Sequence, residues 1–95
     1  MDKASEDGWR RILGLCAKMD SVKRVEEFFE LFLTIEEKEA LALRLLLVEA
    51  LLKEKRTQRE IAADLKISIS KITRGSNALK TTSEELKEYL KAQLG

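Results

Sequence analysis

Ninety-five residues make one small domain, and a chain this short buries only a modest share of its apolar surface when it folds alone. With no histidine, no proline, one cysteine and 37% charged residues, it excludes a disulfide framework and offers no Cys/His set for a metal. The net charge of +1 conceals an asymmetry: residues 1–52 carry a net −3, residues 53–80 a net +5 from eight Lys/Arg against three Asp/Glu, and residues 81–95 a net −1.

A basic block inside an otherwise acidic chain points to a local anionic partner, nucleic acid first among them, with a solvated charged face as the alternative. No histidine, no cysteine paired with a base and no phosphate-cradling glycine loop are present, so an enzyme is not expected. The N-terminal MDKASEDGW has acids where a secretory leader is basic, and the apolar runs are too short to span a bilayer. A soluble cytoplasmic protein is expected.

Helix formers dominate throughout, which predicts an all-α fold of six helices near residues 5–20, 24–32, 35–54, 58–65, 69–80 and 83–93. The first carries Trp9, Ile12 and Leu13, with Cys16 among apolar neighbours as a small core residue. The second carries Phe28, Phe29, Leu31 and Phe32. Three helix starts read Ser/Thr-x-x-Glu: Thr34 with Glu37, Thr57 with Glu60, and Thr82 with Glu85. In this arrangement the hydroxyl accepts from the amide three residues on, and the glutamate reaches back to the amide of the capping residue.

The third helix decides the architecture. In EALALRLLLVEALL the leucines at 41, 43, 45, 46, 47, 51 and 52, with Val48, cover nearly the whole circumference, whereas a surface helix has one apolar stripe. A small domain cannot easily bury such a helix on all sides, so an entwined homodimer is expected, with the N-terminal helices wrapped around this one. The chain then divides into dimerisation core helices at 1–54, a reading head at 57–80 and a C-terminal dimerisation helix at 83–95 of a single domain.

Within the basic block, QREIAADLKISISKI has the spacing of a helix-turn-helix. Ile61 and Leu65 pack the first helix on the second, Ala62 permits close approach, Ile67 lies under the turn and Ile72 anchors the second helix. Lys66 stands where the turn favours glycine, at a cost of about 1–2 kcal/mol if the left-handed conformation is kept. Ser68 is the expected cap, directing Ile69, Ser70, Thr73 and Lys71 outward. Arg59 is placed to read a base edge, because a guanidinium can bind guanine bidentately. Gln58, Lys71, Thr73 and Lys80 are placed to touch phosphates, with a solvent-facing role as the alternative for each. The next stretch, KITRGSNALK, keeps Gly75 inside a helix, where glycine costs about 1 kcal/mol relative to alanine.

These residues resemble the Trp repressor family of bacteria. The likeness runs through nearly the whole chain: Trp9, LT.EEKEAL at Leu33–Leu41, Arg44, VE.LL at Val48–Leu52, TQRE at Thr57–Glu60 and, most specifically, ITRGSN.LK at Ile72–Lys80. The resemblance implies an intertwined all-helical dimer with six helices per subunit and L-tryptophan as corepressor, repressing tryptophan biosynthesis or transport operons through a palindromic operator. It implies that Arg44 and Arg74 sandwich the indole, with Arg74 also meeting the carboxylate. Gly75 lies against the ligand, while the carbonyls of Leu31 and Leu33 from the other subunit and the Thr34 hydroxyl receive the ammonium. Without the resemblance, Arg44 reads as a partner for a neighbouring acid. The chain departs from the family's prototype at Ala78, where that carries a serine, at Lys71, where it carries a threonine, and at Ala62, where a lysine often helps contact DNA. Two other readings stay open: the same DNA-binding head with an indole derivative or no effector, and a helical interaction module that does not bind DNA.

Overall fold

The computed structural model describes residues 1–53 and 55–95. All regular structure among them is helical: α1 (Lys3–Ala17), α2 (Val22–Phe32), α3 (Ile35–Lys53), α4 (Gln58–Leu65), α5 (Ile69–Lys80) and α6 (Glu84–Leu94). The expected end of the third helix at position 54 lies outside the described residues. Two compact units divide the chain, Met1–Lys38 and Glu39–Gly95, with α3 beginning in the first and continuing into the second.

Side-chain caps set most of the helix starts. Asp2 accepts from the Ser5 amide at 2.8 Å and opens α1 two residues earlier than its apolar spacing predicts. Ser21 caps α2 in the same way, accepting from Arg24 at 3.2 Å. At α3 the predicted capping box is complete: Thr34 Oγ1 accepts from the Glu37 amide at 3.1 Å, and the Thr34 amide donates to Glu37 Oε1 at 2.9 Å. The reciprocal bonds satisfy two amides that the helix leaves open. The expected cap at Thr82 is corrected by one residue. Ser83 accepts from the Leu86 amide at 3.2 Å, while the Thr82 hydroxyl donates back to the Ala78 carbonyl at 2.9 Å.

No residue of the first unit is fully buried. Phe28 meets Phe29 edge-on with ring centroids 5.6 Å apart and Phe32 at 4.7 Å, and Ile12, Cys16 and Val25 are half-buried. Trp9 remains 51% exposed and Leu31 77%. The second unit, by contrast, has a closed core. Ile61 of α4 and Ile72 of α5 are 1% and 0% exposed, packed with Leu47 and Ala50 of α3 and ringed by Leu51, Ala62, Leu65 and Ile67. Burying each isoleucine contributes about 1.5–3 kcal/mol. Leu52 is buried as well, but Leu41, Leu45 and Leu46 leave about half their surface open on α3. The all-round apolar helix thus buries one side within its own chain and leaves another uncovered.

Candidate functional site

The reading head is built as the apolar spacing predicts, with α4 packed on α5. Thr57 caps α4: its Oγ1 accepts from the Glu60 amide at 3.1 Å and donates to Glu60 Oε1 at 3.2 Å, so the box closes through the hydroxyl. Lys66 ends α4 in the left-handed region, with φ 55° and ψ 45°. That turn brings the Ile67 amide back to the Ala62 carbonyl at 3.2 Å, closing the helix and feeding Ile67 into the core. Ser68 then caps α5, accepting from the Lys71 amide at 3.3 Å.

With Ile72 sealed inside, α5 presents Ile69, Ser70, Lys71 and Thr73 to solvent, and the first turn of α4 presents Gln58 and Arg59. Ile69 is the one large apolar side chain exposed on the head, suited to a thymine methyl. The Ser70 hydroxyl lies 3.1 Å from that of Ser68, which ties it to the cap. Lys80, in the last turn of α5, donates to Asn77 Oδ1 at 3.5 Å. Both described acids of the block are occupied, Glu60 by the Thr57 hydroxyl and Asp64 by an ion pair with Arg56. Among the described residues, Arg59, Lys66, Lys71 and Arg74 take part in no ion pair.

The residues implied in ligand binding fall in both units. Arg44, Arg74 and Gly75 belong to the second. Arg44 is exposed on α3 and makes no ion pair among the described residues, since no acid stands three or four positions away to meet it. A Cβ built on Gly75 would stand 3.0 Å from Leu47 Cδ2 and 3.5 Å from Leu51 Cδ1. The first distance is shorter than the usual ~3.5–4.0 Å carbon contact. Gly75 therefore marks a close crossing of α5 over α3. Arg44 lies one turn before Leu47 on α3, and Arg74 immediately precedes Gly75, so both guanidiniums branch from the neighbourhood of that crossing.

Leu31, Leu33 and Thr34 belong to the first unit. Leu31 is in the last turn of α2, and Leu33 follows it in extended conformation, φ −114° and ψ 140°, where helix-end carbonyls lack intrahelical donors. Lys38 Nζ meets Glu30 Oε1 at 2.7 Å across this corner. The Glu37 carboxyl is held below the ordinary glutamate range by the hydrogen bond from the Thr34 amide and, secondarily, by the Thr34 side chain. Among the described residues no cluster of acids and cysteine could hold a metal, and no helix is long and apolar enough to cross a membrane.

The model of the family described as "Trp repressor protein" matches residues 7–94. The chain belongs to the Trp repressor family. The Trp operon repressor homolog of Chlamydia caviae is 49% identical over 89 residues, 94% of this chain and 88% of that protein. Its counterpart in Chlamydia trachomatis serovar L2 is 43% identical over 94 residues, 99% of this chain and 100% of that protein. The one from Histophilus somni strain 2336 is 38% identical over 86 residues, covering 90% and 81%. The family is one of transcription repressors, with a helix-turn-helix head, and not of enzymes.

Two features of the head are not legible from motif spacing. The Arg56–Asp64 pair joins the segment before α4 to its last turn across eight positions. The Leu47 contact that fills the space beside Gly75 comes from α3, far away in sequence. The one available signal was composition: an arginine just before the Thr57 cap and an aspartate in the last turn of a helix of eight residues.

Proposed function

We propose that this member of the Trp repressor family is an L-tryptophan-dependent repressor of tryptophan biosynthesis or transport operons. It binds a palindromic operator as a homodimer and acts in the cytoplasm. The observation that carries the DNA-binding reading is the head itself. Its helices are fixed by Ile61 and Ile72, its described acids are engaged, and Arg59 and Lys71 stand exposed without ion pairs. In this reading Arg59 meets a base edge, Ile69, Ser70 and Thr73 face the groove, and Gln58, Lys71 and Lys80 position the head on phosphates. Two-fold-related helix-turn-helix heads, those of Trp repressors included, meet half-sites about 34 Å apart as a general property of the motif on B-DNA.

The homodimer is supported by the uncovered apolar surface of α1, α2 and α3, a larger open surface than a lone soluble chain usually carries. The α3 leucines and the flanking helices, α6 among them, would close that surface against a second copy.

The donor set suits a zwitterionic aromatic amino acid. Guanidinium planes at Arg44 and Arg74 stack on an aromatic face for about 0.5–2 kcal/mol, and a guanidinium pairs with a carboxylate. Acceptors alone suit an ammonium: the Leu31 and Leu33 carbonyls of a second copy lie at the negative end of the α2 dipole, and the Thr34 hydroxyl beside them adds an acceptor oxygen. For tryptophan to favour DNA binding, these residues must hold it more tightly in the arrangement in which both heads fit the operator than in any other.

Calorimetry with tryptophan tests the corepressor reading. Saturable binding weakened by Arg44→Ala and Arg74→Ala is expected, and no heat at millimolar ligand removes it. One observation favours a second reading, a DNA-binding head with an indole derivative or no effector. The Leu47 contact accounts for Gly75 without any ligand. Gly75→Phe strikes Leu47 as well as any ligand, so Gly75→Ala, whose single methyl meets only the end of the Leu47 side chain, is the cleaner probe. A near wild-type melt with lost tryptophan affinity supports close approach by the ligand; unchanged affinity supports packing alone. A helical module that does not bind DNA is separated by salt, since phosphate contacts make affinity fall steeply as salt rises.

A further inference from the structure

The described residues include one non-glycine residue at positive φ, Lys66, at φ 55° in the turn between α4 and α5. Glycine adopts this conformation freely and asparagine tolerates it, whereas a lysine side chain pays a steric penalty there. Lys66 is exposed and makes no ion pair among the described residues. The acid nearest in sequence, Asp64, is engaged by Arg56, so among the described residues no carboxylate pairs with the charge at the turn. The turn leads directly into the α5 end that presents Ser70, Lys71 and Thr73, and the flexible four-carbon stem of a lysine carries its charge well beyond the backbone. The turn itself would be served by glycine, so what lysine adds at this strained, exposed position is a cation without an ion pair among the described residues, and that points to use of the cation.

We propose that Lys66 is a DNA-phosphate contact of the head, one per subunit, kept at the expense of turn stability. The inference rests on the DNA-binding reading above and adds a residue to it. A contact of this kind carries no sequence information, so its loss weakens binding alike on all duplexes. Each phosphate neutralised adds about 0.9 to the slope of log affinity against log salt, so loss of Lys66 from both subunits lowers that slope by about 1.8.

The test compares wild type with Lys66→Asn, Lys66→Gly and Lys66→Arg, by anisotropy on an arbitrary-sequence duplex across a salt series and by thermal melting. Lys66→Asn and Lys66→Gly are expected to melt at the wild-type temperature or above it, to bind severalfold more weakly at low salt and to show the reduced slope. Lys66→Arg should keep the wild-type slope. The rival role is a cation at the C-terminal end of the α4 dipole. It predicts that Lys66→Asn melts lower and binds with wild-type affinity and slope, and that result overturns the proposal. A wild-type chain that binds no duplex at low salt defeats the DNA-binding reading itself and the inference with it, which is distinct from a wild type and a Lys66→Asn variant that bind equally.

Discussion

In the second unit, Ile61 and Ile72 are sealed by Leu47, Ala50, Leu51, Ala62, Leu65 and Ile67, all from the same chain; in the first, Phe28 and Phe29 are only half-buried while Trp9, Leu13, Leu31 and Phe32 stay largely open. The contrast separates two sources of stability. A helix-turn-helix needs one well-placed isoleucine on each helix and a supporting helix behind them, and it closes within one chain. The N-terminal helices leave large apolar side chains open, so in the proposed homodimer their burial depends on association and therefore on protein concentration.

Placing a charge on the open α3 face is the most disruptive way to probe this contrast. Leu45→Asp, at a position 49% exposed in the single chain, should cost the dimer about 3–5 kcal/mol by burying an unpaired charge. Sedimentation should then find monomer where the wild type is dimeric; an unaltered dimer would place the interface elsewhere. Next, Ile72→Ala should cost about 2–5 kcal/mol through its cavity, read by urea unfolding. Helices of the first unit should be lost only as far as the two units unfold together. Arg59→Ala probes the head's surface without its core. It should leave the melt unchanged and weaken operator binding by about 1–3 kcal/mol per base contact, with less effect on unrelated DNA.

Two smaller effects sharpen the comparison further. Thr57→Ala removes the α4 cap and should cost about 1 kcal/mol, within a usual range of about 0.5–2. The caps of the two units also differ in their response to acid. Beside the hydroxyl cap of Ser21, the first unit uses Asp2 and the Thr34–Glu37 box, and the carboxyls of Asp2 and Glu37 are both lowered, each chiefly by a backbone amide, that of Ser5 and that of Thr34. A carboxyl lowered on folding contributes stability that is fully present above its unfolded value and is lost as pH falls through its folded value. The head's caps, Thr57 and Ser68, accept through hydroxyls that do not titrate. Circular dichroism taken from neutral pH into the acid range should show α1 and the start of α3 fraying before α4 and α5. Glu37→Gln should blunt the change at α3, and identical acid profiles would contradict the assignment.

The head was legible in the sequence because its signals are local: Thr57 and Ser68 sit at the caps, Lys66 at the turn, and Ile61, Leu65, Ile67 and Ile72 at fixed offsets, so 58–65 and 69–80 match the observed helices. The ends of the chain were less legible. An aspartate cap at Asp2 carries no glutamate three residues on, and Thr82 and Ser83 are adjacent hydroxyls that compete for one role. Ser83 takes the cap, while the Thr82 hydroxyl turns back to the Ala78 carbonyl. Gly75 shows the limit most plainly. Its neighbour Leu47 is twenty-eight positions away in the chain, and only the fold shows that the glycine admits a leucine.

The central claim, DNA binding governed by tryptophan, is tested most directly by anisotropy of a labelled Trp-operator duplex titrated with the full chain at fixed salt, with and without saturating tryptophan. Tryptophan should tighten binding by about 5- to 150-fold, the span of a coupling of about 1–3 kcal/mol. The same operator affinity with and without tryptophan, or no operator binding in either condition, would contradict it.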